Sequence, residues 1–561
     1  MSSCVRRSLG VLALATACAG TARADWPTDP AVNVPVATTA VRKLYIGVVS
    51  DGAGGTVSCW LQGDAPPLQV CAQRLDAGGV ARWPAAGVAL GSTSISADGP
   101  RIIADGAGRA IVAWCDTSGG GAIVAQRLDA AGMPQWVSGG VTLAAAANPS
   151  GLALVPDGAG GAVAVWSRDR QYAQRVNAAG LPQWPSAQGV PLTARTTSSW
   201  EVQGVPDGTG GMIATWGEMS AHAYAQRIDG TGTTRWGTNG LELDPVDGAY
   251  RQQIAADGTG GAIVSWLAGY STARAQRFDA SGAPVWPASV LLAPDAYGQF
   301  ADTLVSDGEG GAFAAWLGRR HLASSYQFFA QHLDATGAPL WTSVGVALDT
   351  TGVGYGTPIA LSADGVGGLL ALYPVQTGGS GPYHLRAQSL LPSGAPRWGA
   401  HGAPISTAAG SQDVGPDYGG GLVPDGSGGL TAVWWDSRSN VQGDVYAQHV
   451  GVDGSPGNTG VPPGVQPRAL ALAAPWPCPA RARAAVTFAM AQPAAGRVRL
   501  TVLDVGGRTV RTLADGTHAA GTWIERWDGR DAAGRAVAAG LYFVRFESAG
   551  AGATRKLVLT P

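Results

Sequence analysis

Residues able to do chemistry are few and scattered in this chain of 561 residues. Its seven His are dispersed, and Glu is rare. There is no Gly-x-Ser-x-Gly elbow, no His-Glu-x-x-His pair and no phosphate-binding loop. The local signatures of acyl transfer, zinc hydrolysis and nucleotide binding are therefore missing. No Cys-x-x-Cys pair occurs, which argues against zinc. Paired carboxylates of the glycosidase kind do not stand out by spacing. A site assembled from distant segments would need two or three acidic or His side chains converging within about 5 to 10 Å. A recognition surface needs only aromatic and polar groups on variable loops. The residues of suitable type are Arg168 and Asp169, Glu218 and His222, and Tyr270. Arg319, Arg320, His321 and Tyr326 form a further group, followed by Tyr383 and His384. The last group is Trp435, Asp436, Arg438 and Asp444. As single loop residues, each is more ordinarily a solvated surface group.

The elements that carry these loops repeat eight times. An Asp-Gly-x-Gly turn recurs at Asp51, Asp105, Asp157, Asp207, Asp257, Asp307, Asp364 and Asp425. Nine residues after each Asp stands Trp60, Trp114, Trp166, Trp216, Trp266, Trp316, Tyr373 or Trp434. A loop of variable length follows, then an Ala-Gln pair and a second turn of the Asp-Ala-x-Gly kind. A further Trp closes seven of the repeats, at 83, 136, 184, 236, 286, 341 and 398.

Each unit reads as four strands. The Asp-Gly turns suit tight hairpins because Gly and Asp accept positive φ. Strand two, such as Gly261–Trp266, is apolar on both alternating faces, so both faces should be covered. Units of four strands with a recurrent Trp are what propeller blades look like. The missing 3.6-residue periodicity excludes helical repeats. The eighth repeat lacks its last strand, and Trp26-Pro27 with Val32–Val36 resembles the missing piece. The expectation is an all-β, eight-bladed β-propeller over 25–455, closed by the N-terminal strand. Once-per-blade Trp are read as core, and the recurrent Gln as partners for backbone groups.

Composition limits the partners. Charged residues are 14% and the net charge is −2, so neither nucleic acid nor an anionic membrane is favoured. Arg6 and Arg7, the apolar run Leu9–Cys18 and Ala22-Arg23-Ala24 read as an export signal over 1–24. A lipoprotein anchored through Cys18 is the alternative. No later run is long enough to span a bilayer. After export four Cys remain. Cys59 and Cys71 lie on neighbouring predicted strands, so a bridge between them and two unbridged apolar thiols are both open. Cys115 and Cys478 have no evident mate. No cofactor is expected; calcium at the Asp turns stays open, although one carboxylate per turn supplies too few ligands.

A different pattern follows a Pro-, Gly- and Ala-rich linker over 456–475. Short strands and turns fill 476–561 and suggest a small β-sandwich. The runs Leu503–Arg508, Trp527–Gly534, Ala539–Arg545 and Arg555–Leu559 resemble the Ig-like module of flagellar hook-capping proteins (FlgD-like). They are also similar to the C-terminal sorting domains of type IX secretion substrates. The resemblance implies a secretion or surface-attachment tail that engages secretion machinery, or an inert spacer, and in either case no chemistry. The repeats themselves resemble bacterial secreted repeat proteins, most fully in Trp434–Arg438 and Asp444–Gln448.

In propellers the hairpins joining strands two and three share one face with the blade-to-blade connections. That face carries the variable loops and the candidates above. The expected protein is secreted or held on the outer-membrane surface, a non-enzymatic binder or scaffold for a glycan or an extracellular protein. The alternative is a propeller polysaccharide hydrolase or lyase with its site at the channel mouth.

Overall fold

The computed structural model describes residues 26–94, 99–105, 108–116, 120–145, 148–197, 199–218, 222–269, 272–293, 297–319, 326–349, 359–376, 381–415, 420–457, 470–472, 480–481, 486–492, 496–518, 521–548 and 550–560. The expected export signal, with Cys18, and Cys478 lie outside these residues. Among the described residues the named elements are all β-strands. Seven four-stranded sheets and one five-stranded sheet carry the repeats, and two more carry the C-terminal module. The result is a β-propeller-like fold followed by a small sandwich.

Each repeat is a plain antiparallel meander. One example runs Ser199–Pro206, Met212–Glu218, His222–Ile228 and Leu241–Glu242 in that spatial order. Strand two is buried along its whole length because a neighbouring sheet covers each of its faces. First strands touch one another in succession, from Lys43–Ser50 to Arg101–Ala104 and onward to Gly420–Pro424. That last strand in turn touches Lys43–Ser50.

The turn Asp residues tie sheet to sheet. Asp157 Oδ1 accepts the Ala159 and Gly161 amides at 2.7 and 2.8 Å. Gly158 and Gly160 hold φ of 70° and 83°, which a side chain would oppose. The second oxygen takes a cation from strand three, here Arg175 at 2.9 Å. Arg74, Arg127, Arg227 and Arg277 repeat this pairing, and His332 and His449 stand in for Arg on Asp307 and Asp425. Arg175 also donates to Gly230 O of the following repeat at 3.1 Å.

A belt of indoles runs beside these pairs. Trp83, Trp136, Trp184, Trp236, Trp286, Trp341 and Trp398 each donate Nε1 to a second-turn carbonyl of the next repeat, at 2.9–3.3 Å. Trp26 makes the same bond to Ala77 O at 2.9 Å and is 2% exposed. Val34–Ala37 pairs antiparallel with Asp444–Val450, so the first described residues supply the fourth strand of the last repeat. Gln448 reinforces the seam by donating to Pro27 O. The other recurrent Gln act alike: Gln174 accepts the Trp184 amide and donates to Trp184 O.

Strand one carries a recurrent irregularity. Pairing with strand two slips between Leu44 and Gly47, Ser150 and Ala153, Trp200 and Gln203, and Tyr250 and Gln253. At the slip Tyr45, Gly151, Glu201 and Arg251 hold φ of 54°, 59°, 54° and 48°. For a residue with a Cβ this left-handed backbone costs about 1–2 kcal/mol. Such bulges bend an edge strand and re-aim one side chain.

One open alternative closes and one expectation needs correction. Cys59 and Cys71 are free thiols. Cys59 faces Ala72 across the ladder and Cys71 faces Trp60, so the two sulfurs leave opposite faces of the sheet. They enter different cores, one with Trp114 and one with Trp26. Burial pushes both thiols up to about 12. The stretch read as linker is also shorter than expected. Pro456 still bridges to Val450, and Ala471–Leu472 already pairs with Val486–Gln492 of the terminal module. Leu472 is buried with Phe488, Trp527 and Phe546 in the core between the module's two sheets.

Candidate functional site

The end of the sheets that bears the strand two–three hairpins gathers most of the candidates. The ladder sets their positions. Opposite the buried Trp of strand two stands Tyr172, Tyr224, Phe329 or Tyr446 of strand three. Trp166–Tyr172, Trp216–Tyr224 and Trp316–Phe329 stack at 6.3, 6.0 and 6.2 Å between ring centres. An arginine lies over an aromatic ring at four of these hairpins. Arg168 sits 4.7 Å above Tyr172, Arg195 4.7 Å above Tyr224, Arg319 4.6 Å above Tyr326, and Arg438 4.2 Å above Tyr446. Each such contact is worth about 0.5–1 kcal/mol where exposed and more when desolvated.

Carboxylates hold several of these arginines in place. Arg168 bonds Asp169 Oδ1 at 2.7 Å and the Tyr172 hydroxyl at 2.9 Å. The Arg168 hydrogen bond keeps the Asp169 carboxyl below its usual range. Arg195 donates to Glu218 Oε2 at 3.2 Å, while the Trp216 indole donates to Oε1 at 3.2 Å. His222 Nδ1 lies 2.6 Å from Glu242 Oε1. Asp436 takes the Trp434 indole at 2.9 Å and the Arg438 guanidinium.

The last group of candidates belongs to the ring seam. Arg438 reaches Asn33 from the N-terminal strand and Ser406 from the preceding repeat. Asp444 is sealed against Lys43 at 2.7 Å, with side chains 2% and 0% exposed. Trp435 is buried beside Gln442 O. These side chains fasten the ring and offer little to solvent. His384 Nδ1 lies 3.0 Å from Gln412 Oε1, and the Tyr383 amide donates to Ser411 Oγ. Tyr270, Arg320 and His321 lie outside the described residues.

The structure therefore brings together Arg168 with Asp169, Glu218 opposite His222, Arg319 with Tyr326, and Asp436 with Arg438 and Asp444, each group on its own repeat. Sequence reasoning missed Tyr172 and Tyr224, although both immediately precede the recurrent Ala-Gln pair. It also missed Arg195, in a connection between repeats, and Glu242, on a fourth strand, neither of which follows a repeating signal. Glu201 and Arg251 were missed as well. Both are exposed on first strands of neighbouring repeats. Desolvation pushes the Glu201 carboxyl up, opposed by the charge of Arg251.

Chemically, the arrangement offers part-exposed guanidinium groups, Arg168 and Arg195, seated on buried rings, and carboxylates that already have partners. Asp169, Glu218, Glu242, Asp436 and Asp444 each face a cation, an imidazole or an indole.

The class that emerges is a β-propeller-like, all-β protein bearing an Ig-like module: residues 480–552 match the FlgD Ig-like domain family. No curated protein matches the chain. Among solved structures, the BP39L lectin from Burkholderia pseudomallei is similar at 13% identity, over 66% of this chain and 100% of that one, with a TM-score of 0.43. The SapL1 lectin, solved with alpha methyl fucoside, is similar at 10% identity over 55% and 97%, with a TM-score of 0.30. The GH43 endo-arabinanase from Bacillus licheniformis is similar at 12% identity over 44% and 95%, with a TM-score of 0.25. Among the described residues no helix is long and apolar enough to cross a membrane.

Proposed function

We propose that this chain is an exported eight-bladed propeller that binds a glycan or an extracellular protein at its hairpin-rich end and leaves it chemically unchanged. In this reading residues 1–24 direct export, and the Ig-like module is a secretion or surface-attachment tail of the type IX sorting kind. The observation that carries the binding role is the recurrence of arginine-on-aromatic clusters at one end of three sheets, apart from the seam. Stiff scaffolds that vary only their loops suit recognition. Guanidinium groups held in place on buried rings suit sugar hydroxyls and polar peptide side chains alike.

A polysaccharide hydrolase or lyase draws support from one group, the desolvated carboxyl of Glu201. Such chemistry calls for a second carboxylate within about 5–10 Å.

The test is a glycan array probed with the purified full-length chain, run beside a reducing-end release assay on a polysaccharide panel. Saturable binding without release is expected, and Arg168→Ala with Arg195→Ala should weaken it at least fivefold. Sustained release of reducing ends would replace the binder with the enzyme.

A further inference from the structure

We infer that the Ig-like module of one copy docks on an acidic and apolar patch of a second copy's propeller, so that chains associate head to tail. This goes beyond the ligand proposed above and leaves the hairpin-rich end free.

The first observation is a division of charge that the overall −2 conceals. Residues 26–457 hold 21 Lys and Arg against 32 Asp and Glu, whereas 470–561 hold 12 against 6. Opposite charges of this kind draw the two parts of neighbouring molecules together and weaken with salt.

The second observation is a patch on two successive repeats. In the second turns of repeats one and four an Asp pairs with the arginine six residues on, Asp76 with Arg82 and Asp229 with Arg235. Repeats five and six keep the acids, Asp279 and Asp334, but put Val285 and Leu340 in the arginine's place, 45% and 53% exposed. Among the described residues these carboxylates meet hydroxyls and amides and no cation. The Ser281 and Thr336 hydroxyls hold both carboxyls below their usual range, so the charges persist. The Trp286 indole donates to Ala335 O at 3.0 Å, which joins the neighbour of Val285 to the turn of Asp334. Gly310 faces the Ala335 methyl, so the exposed Glu309 beside it adds a third acid. Two adjacent repeats thus expose apolar groups rimmed by uncompensated acids, the character of an interaction surface.

The third observation is a matching face on the module. Its five-stranded sheet turns Val544 and Phe546 into the core. On the other side Leu503 stands opposite Phe543, and Phe543 opposite Lys556. Leu503, Phe543 and Arg545 line an open groove, with the exposed Val505 beside them. Arg545 bonds Glu547 at 2.8 Å, but both side chains are well exposed, and such surface pairs exchange at a cost of about 0–1 kcal/mol. Arg508, next to the groove residue Gly507, is exposed and has no acidic partner among the described residues. Basic and apolar groups here meet acidic and apolar groups there.

The chain leaves its propeller at repeat eight, where Gly457 lies against Thr28, and the patch is on repeats five and six. A second copy's module reaches that sector without crossing the ring. Such a contact joins two different faces, so it repeats from copy to copy.

The experiment is sedimentation of the full-length chain at about 1 and about 100 µM, in about 50 mM and about 500 mM salt. Association is expected only at the higher concentration and the lower salt. Val285→Arg with Leu340→Arg restores the arginines of repeats one and four. Its melting temperature should hold or rise while the dissociation constant rises about tenfold or more. Arg508→Glu with Arg545→Glu should weaken association to the same degree. A wild type that stays monomeric under all four conditions overturns the inference. Association that either pair of substitutions leaves intact overturns it too, since the contact would then run through another surface.

Discussion

The Lys43–Asp444 pair shows what a single residue can contribute to this ring. Lys43 is one of two lysines in the chain, and its ammonium is sealed from water beside an equally buried carboxylate. It joins the first strand of the first repeat to the third strand of the last. Ion pairs at this depth stabilise little against an apolar substitute, but losing one partner strands the other charge. Lys43→Met should therefore lower unfolding free energy by about 3–5 kcal/mol in urea titration. The double variant Lys43→Met with Asp444→Leu should recover much of that loss. Nothing in the sequence announced the pair. Asp444 looked like a loop carboxylate, and its partner lies 401 residues earlier. The free state of Cys59 and Cys71 was hidden for a related reason. Neighbouring strands were legible, but the one-residue offset that sends the sulfurs to opposite faces depends on the ladder register.

Turns and strands were the most legible scale, because each is set by local chemistry that recurs eight times. Asp-Gly turns, the buried Trp strand and the Gln-bearing strand all lie where spacing placed them. The basic residue that follows the recurrent Gln was equally visible, as Arg or His in seven repeats, yet only the fold shows it reaching the turn Asp. The bulges were invisible, since Tyr45, Glu201 and Arg251 share no residue type. Second turns make a clean test of element stability. Asp229 accepts the Thr231 and Thr233 amides, the Thr231 hydroxyl and the Arg235 guanidinium. Burial works against its charge, but these donors prevail and lower its pKa to about 2. A depressed acid contributes stability above its unfolded value near 3.8 and loses it as pH falls toward 2. Asp229→Asn should then cost about 2 kcal/mol at pH 7. The gap to the wild type should narrow between pH 4 and pH 2 in melts recorded across that range. A gap that stays constant with pH would mean that the turn gains nothing from the charge.

At the scale of the whole molecule, the repeats need their first and last members to meet. Each sheet covers its neighbours' apolar faces, so an open row would leave two faces bare. It would also leave Asp444–Val450 as an unpaired edge. The N-terminal segment answers both needs with one strand and one indole. Val34–Ala37 fills the edge, and Trp26 buries itself against the first repeat beside Trp60 and Leu75. This much was foreseeable, because a repeat missing its last strand implies a donor elsewhere. Which loop residues would serve the seam rather than a ligand was not, since Arg438 meets Asn33 and Asp444 meets Lys43 only on closure. Removing 26–37 should therefore do more than delete twelve residues. Arg438 would lose Asn33, Gln448 would lose Pro27 O, and the apolar surface around Ile46 and Val445 would open. Trp26→Ala alone should cost about 3–5 kcal/mol, as expected for a buried aromatic. The deletion should cost more and should also shift sedimentation from monomer to oligomer, because exposed edges pair with one another. A synthetic peptide covering 26–37, added in excess, should restore the monomer by refilling the vacant strand. If the truncated chain stays monomeric and melts with the wild type, the N-terminal strand is an ornament on a ring closed by other means.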